Sequence, residues 1–275
     1  MIGLTAYTMR GLKIHLLRLA RAMGLFAITR WVTRYNPKIL CYHAFQLRDE
    51  ANRLGFRVLP LDQVVTNLYA KKTRTHSLAI TIDDGFHSFS TEALPTLRPH
   101  GYAATVYVTT YYVEKGGPVF RLMVQYMMWL GSRGVRTPVQ LPVVEGLVAL
   151  SDRIARDDAI NRIVDYGENH CDEPRRHQLC IALGDALGLA YEELAATHVM
   201  ELMRPEQLAE LANAGIDVGL HTHRHRFPVD NREAARQEIT ENRAALRIVG
   251  NAVQHFCYPS GKFDPVLYSG PGSTN

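Results

Sequence analysis

Short apolar runs alternate along the chain with longer amphipathic stretches. Five runs are rich in Val, Ile and aromatic residues and end in polar residues, as buried strands do. The predicted strands are Lys38–His43, Ser77–Ile82, Ala103–Thr109, Ile216–His221 and Val253–Tyr258. The predicted helices are Leu61–Lys71, Phe89–His100, Arg204–Ala214 and Arg232–Val249, the last three of which are followed by glycine. This alternation predicts an α/β fold with a parallel sheet or barrel.

Residues 111–200 interrupt the alternation. Tyr111–Gly131 is rich in aromatic residues and methionine, and Asp152–Ala196 is polar with a helical pattern. We therefore expect a largely helical insertion, of the kind that shapes or covers a substrate cleft. The predicted organisation is a basic amphipathic helix over residues 1–35, an α/β domain over 36–268 and a linker-like tail over 269–275.

Composition narrows the function classes. The 275 residues are 47% hydrophobic and 21% charged, which is typical of a globular protein and excludes a disordered chain. The sequence contains no stretch of 18 uncharged apolar residues, so it does not predict a transmembrane helix. The net charge of +4 is too small to indicate a nucleic-acid partner.

The charge is concentrated at the N-terminus, where no Asp or Glu occurs between Met1 and Arg48. A basic amphipathic helix there would either pack on the domain or contact an anionic membrane surface through residues 10–31. The segment is a poor secretory signal because charges interrupt its apolar stretch. The four cysteines form no CxxC pair, so we expect reduced thiols and a cytoplasmic location, with membrane association left open.

Two adjacent carboxylates follow the buried run Ser77–Ile82. Helix capping explains one aspartate, but not Asp83 and Asp84 together, which are costly to place at the end of a buried strand. Successive residues point in different directions, so one carboxylate could bind a metal while the other faces a substrate. Gly85 permits the tight turn.

A histidine cluster follows the run Ile216–His221. His221 and His225 are four residues apart, which on a helical turn brings two imidazoles to one cation, whereas His223 points elsewhere. Two histidines and one carboxylate are typical of a catalytic zinc site and also of a non-haem iron oxygenase. The cluster lacks the glutamate of an HExxH protease.

A third turn follows the run Val253–Tyr258. Pro259, Ser260 and Gly261 could direct backbone N–H groups into a site, as an oxyanion hole requires.

Together, these motifs resemble one family. Ile80–Phe86 (ITIDDGF), His221–His225 (HTHRH) and Phe256–Gly261 (FCYPSG), in that order, are similar to the first three motifs of the polysaccharide deacetylases (NodB homology). Ile39–Phe45 and Ala93–Val108 add to the resemblance. It implies a distorted (β/α) barrel of the seven-stranded type with its site at the carboxyl ends of the strands.

The resemblance also implies residue roles. Asp83 would be the general base, and Asp84, His221 and His225 would hold a divalent metal, with Zn²⁺ expected and Co²⁺, Ni²⁺, Mn²⁺ or Fe²⁺ as alternatives. Thr222 would brace the histidine loop. The residues expected to contact the oxyanion and the substrate are Tyr258, Pro259, Ser260, Gly261 and His43. The implied reaction is hydrolysis of the N-acetyl amide of a sugar or glycan.

Two departures from the family pattern leave alternatives open. Cys257 stands where many members carry an arginine that pairs with the base. The sequence ends soon after Gly261, so we expect a C-terminally incomplete barrel without the family's acid histidine, for which His43 and His255 are candidate substitutes beside the alternative that both are structural. The alternatives are a hydrolase of small linear or cyclic amides and a non-catalytic barrel that binds metal or glycan.

Overall fold

A computed structural model of the chain describes residues 38–42, 57–70, 77–250 and 253–259. The predicted N-terminal helix with its membrane contact, the predicted tail, and the site candidates His43, Ser260 and Gly261 lie outside the described residues. Within the described ranges, no helix combines the length and the apolar character needed to cross a membrane.

Strands and helices follow the predicted order. The strands are β1 (Lys38–Tyr42), β2 (Arg57–Val58), β3 (Ser77–Ile82), β4 (Thr105–Val108), β5 (Val139–Gln140), β6 (Leu147–Val148) and β7 (Asp217–Leu220). The α-helices are α1 (Leu61–Tyr69), α2 (Leu94–Leu97), α3 (Tyr111–Lys115), α4 (Phe120–Gly134), α5 (Arg153–His170), α6 (Glu173–Leu187), α7 (Tyr191–Ala196), α8 (Pro205–Asn213) and α9 (Arg232–Ala245). The remaining helical turns are Phe89–Ala93, Arg98–His100 and Leu246–Val249.

The chain divides into two compact units. The first comprises Met1–Leu40 and Arg48–Ile80, and the second comprises Cys41–Leu47 and Thr81–Asn275. In the described part of the first unit, β2 pairs in parallel with the start of β3, and α1 buries its apolar positions Leu61 and Val64.

Parallel strands position the site. The strand order is β1-β3-β4-β7, with β2 paired to β3, and the pairings of β3 with β4 and of β4 with β7 are parallel. Every residue of β3 and β4 is buried, which explains why their sequences are mostly apolar, with only Ser77, Thr81 and Thr105 as polar residues. Parallel strands end at the same edge of the sheet, so Asp83, after β3, and His221, after β7, emerge at one edge with the end of β4 between them. The predicted α/β fold with a parallel sheet is confirmed.

The predicted strand Val253–Tyr258 is wrong. Its described residues make one parallel bridge to β7, between Phe256 and Leu220. The N–H of Leu220 donates to the carbonyl of His255, and the N–H of Cys257 donates to that of Leu220. The pairing cannot run on beyond the next residues because Pro259 has no N–H to donate.

The predicted helical insertion is confirmed, and it has a hydrophobic core of its own. Buried residues of α4, α5 and α6, such as Met127, Ile163 and Leu183, form this core. The carboxylates of Asp152 and Asp172 accept hydrogen bonds at the starts of α5 and α6, which fixes where these helices begin. The hairpin of β5 and β6 was not predicted, because its strands are only two residues long.

Candidate metal centre

The candidate site lies in the second unit and begins with a strained turn after β3. Asp84 has φ +72° and Gly85 has φ +80°, in the left-handed region. The turn is held by hydrogen bonds from the N–H of Thr109 to the carbonyl of Asp84 and from the N–H of Met203 to that of Gly85. A Cβ at Gly85 would lie 3.1 Å from the side chain of Val108, so both the conformation and the space favour glycine.

The histidine cluster is a loop, and the expected helical turn is wrong. Thr222 (φ +64°) and His225 (φ +53°) have left-handed backbones, which break any helix. The hydroxyl of Thr222 accepts a hydrogen bond from the N–H of Arg226 at 3.1 Å and so braces the loop. The rings of His221 and His225 lie 5.1 Å apart, centroid to centroid.

The structure brings together the three residues that the sequence suggested as ligands. Oδ1 of Asp84 lies 3.3 Å from Nε2 of His221 and 3.1 Å from Nε2 of His225. One ligand atom from each residue lies within 4.8 Å of the other two. His221 is buried, whereas 43% of the His225 side chain is exposed, so one side of the group opens to solvent.

The hydrogen-bond pattern fits a cation. Nδ1 of His221 lies 2.9 Å from the carbonyl oxygen of Cys257, which can only accept, so Nδ1 carries the proton. In the neutral ring, Nε2 then carries no proton, and its lone pair faces the carboxylate oxygen of Asp84. Two acceptors that face each other require a proton or a metal ion between them.

The charges of the group are coupled. Burial disfavours the charged form of Asp84, but the adjacent imidazoles of His221 and His225 outweigh burial and hold the pKa of this carboxyl well below its usual value. The hydrogen bond with Asp84 raises the pKa of His225, against the effect of its own burial. The carboxylate is therefore ionised over the whole neutral range.

Asp83 is buried beside this group, and two thiols adjoin it. The thiol of Cys41 donates to Oδ2 of Asp83 at 3.2 Å. Partial desolvation and then this hydrogen bond raise the pKa of Cys41, an exposed residue, to about 11, and burial with the nearby charge of Asp83 raises the pKa of Cys257 to about 12. Both thiols are thus protonated near neutral pH and can donate to the carboxylate.

The third predicted turn is only partly described. The ring of Tyr258 packs edge-on against Phe227 and Phe256, at 5.1 and 4.7 Å between centroids. Pro259 is buried and has no N–H, so any oxyanion donors in this turn are the N–H groups of its neighbours.

The imidazole of His255 lies 3.9 Å from the carboxylate of Asp217, at the start of β7. His221 follows the opposite end of that strand.

Sequence reasoning missed several polar residues around the site. These are Cys41, Thr110, Glu238 and Asn242. The sequence pattern could have identified Glu238 and Asn242, because both share a helix face with Ala235, which is buried. Polar residues on the apolar face of a helix require partners inside the protein.

The comparisons identify the class. The polysaccharide deacetylase family model matches residues 70–170 and 187–269, more than half of the chain. The chain belongs to the polysaccharide deacetylase family. That family removes N-acetyl groups from sugars by hydrolysing carbon–nitrogen bonds other than peptide bonds.

Solved structures resemble the chain at low identity. Streptococcus pyogenes deacetylase PplD, in complex with acetate, is 14% identical over 82% of this chain and 75% of its own, with a TM-score of 0.47. IcaB from Ammonifex degensii is 14% identical over 84% of this chain and 76% of its own, with a TM-score of 0.46. No curated protein matches the sequence significantly.

Proposed function

We propose that this chain is a metal-dependent deacetylase that hydrolyses the N-acetyl amide of a sugar or polysaccharide. The observation that carries the proposal is the convergence of Asp84, His221 and His225 beside the buried carboxylate of Asp83. Family membership supplies the reaction class. The three side chains also support a metal. Two imidazoles and one carboxylate are typical ligands of a catalytic metal ion and leave coordination positions open for water and substrate.

A divalent metal held by Asp84, His221 and His225 would polarise the amide carbonyl and lower the pKa of a nearby water. Zinc suits this set of nitrogen and oxygen ligands. The hydrogen bond from Nδ1 of His221 to the carbonyl of Cys257 fixes the ring so that Nε2 faces the centre.

Asp83 acts as the general base in this proposal. Its carboxylate takes a proton from the water that attacks the carbonyl carbon. The carbon–nitrogen bond then breaks, acetate is released, and the amine leaves with the proton that the water gave up. Backbone N–H groups around Tyr258 would stabilise the oxyanion.

The test combines metal analysis with acetate release. Purified full-length protein is loaded with zinc and assayed on N-acetylglucosamine oligomers and on a panel of small linear and cyclic amides. We expect stoichiometric zinc and acetate release from the oligomers. Release from the small amides alone would refute the sugar substrate, and zinc without any release would indicate a non-catalytic binder. The Asp157→Asn variant, at an exposed position on α5, is the matched control.

A further inference from the structure

Helix α9 contributes a buried amide to the metal centre. Asn242 is fully buried, and its Oδ1 accepts a hydrogen bond from the backbone N–H of His221 at 3.0 Å. Its Nδ2 donates to the carbonyl of Val108 at 2.9 Å and to the hydroxyl of Thr110 at 3.0 Å. One side chain therefore joins the end of β4 to the first residue of the histidine loop.

Thr110 extends this connection to the middle of the loop. Because its oxygen accepts from Asn242, its hydroxyl proton is available for Nδ1 of His223, 2.9 Å away. The carbonyl of His223 accepts from the N–H groups of Thr110 and Tyr111 and from the hydroxyl of Thr109.

A second buried residue of α9 holds the far side of the loop. The carboxylate of Glu238 accepts from the backbone N–H of Arg224 at 2.7 Å and from its guanidinium at 3.0 Å. The carbonyl of Glu238 accepts from the N–H of His223. The loop between the two candidate ligands is thus fixed from both sides.

We propose that Asn242 is a positioning residue that sets the metal affinity of this centre, an inference that rests on the proposed function. It holds the backbone of His221 and, through Thr110, the loop that must keep left-handed conformations for both imidazoles to converge. An aspartate would place an acceptor oxygen against the carbonyl of Val108. An alanine would leave the buried N–H of His221 without its partner. Loss of partners outside the ligand set typically weakens metal binding about 10–100-fold.

The experiment measures zinc affinity in the metal-stripped full chain by competition with a chromogenic chelator. We expect Asn242→Ala and Asn242→Asp to weaken zinc binding about 10–100-fold. Thr110→Val keeps the side-chain shape but removes the hydroxyl, and we expect a smaller loss. Thr240→Ala, at an exposed position on the same helix, is the control and should bind like the wild type.

Cobalt loading separates positioning from general destabilisation. We expect the visible absorption of bound Co²⁺ to change in the Asn242 variants, because misplaced imidazoles alter the ligand field. A folded Asn242→Ala with wild-type zinc affinity and cobalt spectrum overturns the inference. If that variant does not fold, wild-type affinity and spectrum in Thr110→Val overturn it. Failure of the wild type itself to bind zinc refutes the proposed function, and the inference with it.

Discussion

The thiol of Cys41 donates a hydrogen bond to Oδ2 of Asp83 at 3.2 Å. The candidate base is therefore held from β1, a strand distant from it in sequence. A thiol is neutral near pH 7 when its pKa is about 11, so this contact orients the carboxylate without adding a charge.

Removing this donor should slow the reaction while leaving metal binding intact. We expect Cys41→Val to lower kcat roughly tenfold or more, since a hydrogen bond to a charged group contributes about 1.5–3 kcal/mol. Cys41→Ser keeps a donor and should retain most of the rate. Acetate release and zinc content measure the two effects. Equal rates for the Val variant and the wild type would show that the thiol does not orient the base.

Replacing the base should separate chemistry from metal binding. We expect Asp83→Asn to lower kcat by about 10²–10⁴, the usual contribution of a general base, because the amide cannot take a proton from water. Zinc content should stay at the wild-type level, since Asp83 is not among the three converging ligand residues. A variant that keeps the wild-type rate would remove Asp83 from the mechanism.

The pair of Asp84 and His225 should give the zinc-free protein a defined pH dependence. The pKa of His225 is raised in the folded protein, so its protonated form stabilises the fold. This contribution is complete at pH values below the ordinary pKa of 6.5 and is lost as pH rises through the folded-state pKa. The pKa of Asp84 is lowered in the folded protein, so its ionised form stabilises the fold. This contribution is complete at pH values above the ordinary pKa of 3.8 and is lost only as pH falls well below that value.

The pair should therefore contribute most at about pH 4–6.5, between these two ordinary values. We expect the difference in unfolding free energy between wild type and His225→Ala, measured with urea and without zinc, to be larger at pH 5.5 than at pH 8.5. A difference of the same size at both pH values would contradict this pairing.

Two glycines of the insertion should respond in opposite ways to alanine. A Cβ at Gly167 on α5 would overlap the buried ring of Phe120, so we expect Gly167→Ala to cost about 1–3 kcal/mol. Gly134, at the end of α4, has open space and no left-handed backbone, so Gly134→Ala should be neutral or stabilising by up to about 1 kcal/mol. Urea unfolding of both variants tests the packing of these helices, and similar stabilities would contradict it.

Buried strands and the two main motifs were predictable because they are local patterns. Ser77–Ile82 is a strand with the predicted bounds, and parallel order explains why Asp84 and His221 meet. The shape of the histidine loop was not predictable. It depends on contacts with α9 and β4, and the left-handed backbones of Thr222 and His225 follow from those contacts rather than from local propensity.

The failed strand Val253–Tyr258 has a similar cause. Its composition favours a strand, but only Phe256 forms a bridge to the neighbouring β7. Pairing depends on a partner along the whole segment, and composition does not reveal whether one is present.

The insertion leaves and rejoins the α/β domain at nearly the same point. Pro118 and Glu201 form a bridge, and the N–H of Val119 donates to the carbonyl of Met200 at 2.8 Å. Since its core is its own, substitutions inside that core should change the stability of the insertion more than the positions of Asp84 and His221. Tyr111 links the two parts, because its hydroxyl donates to Glu173 of α6 and its N–H donates to the carbonyl of His223.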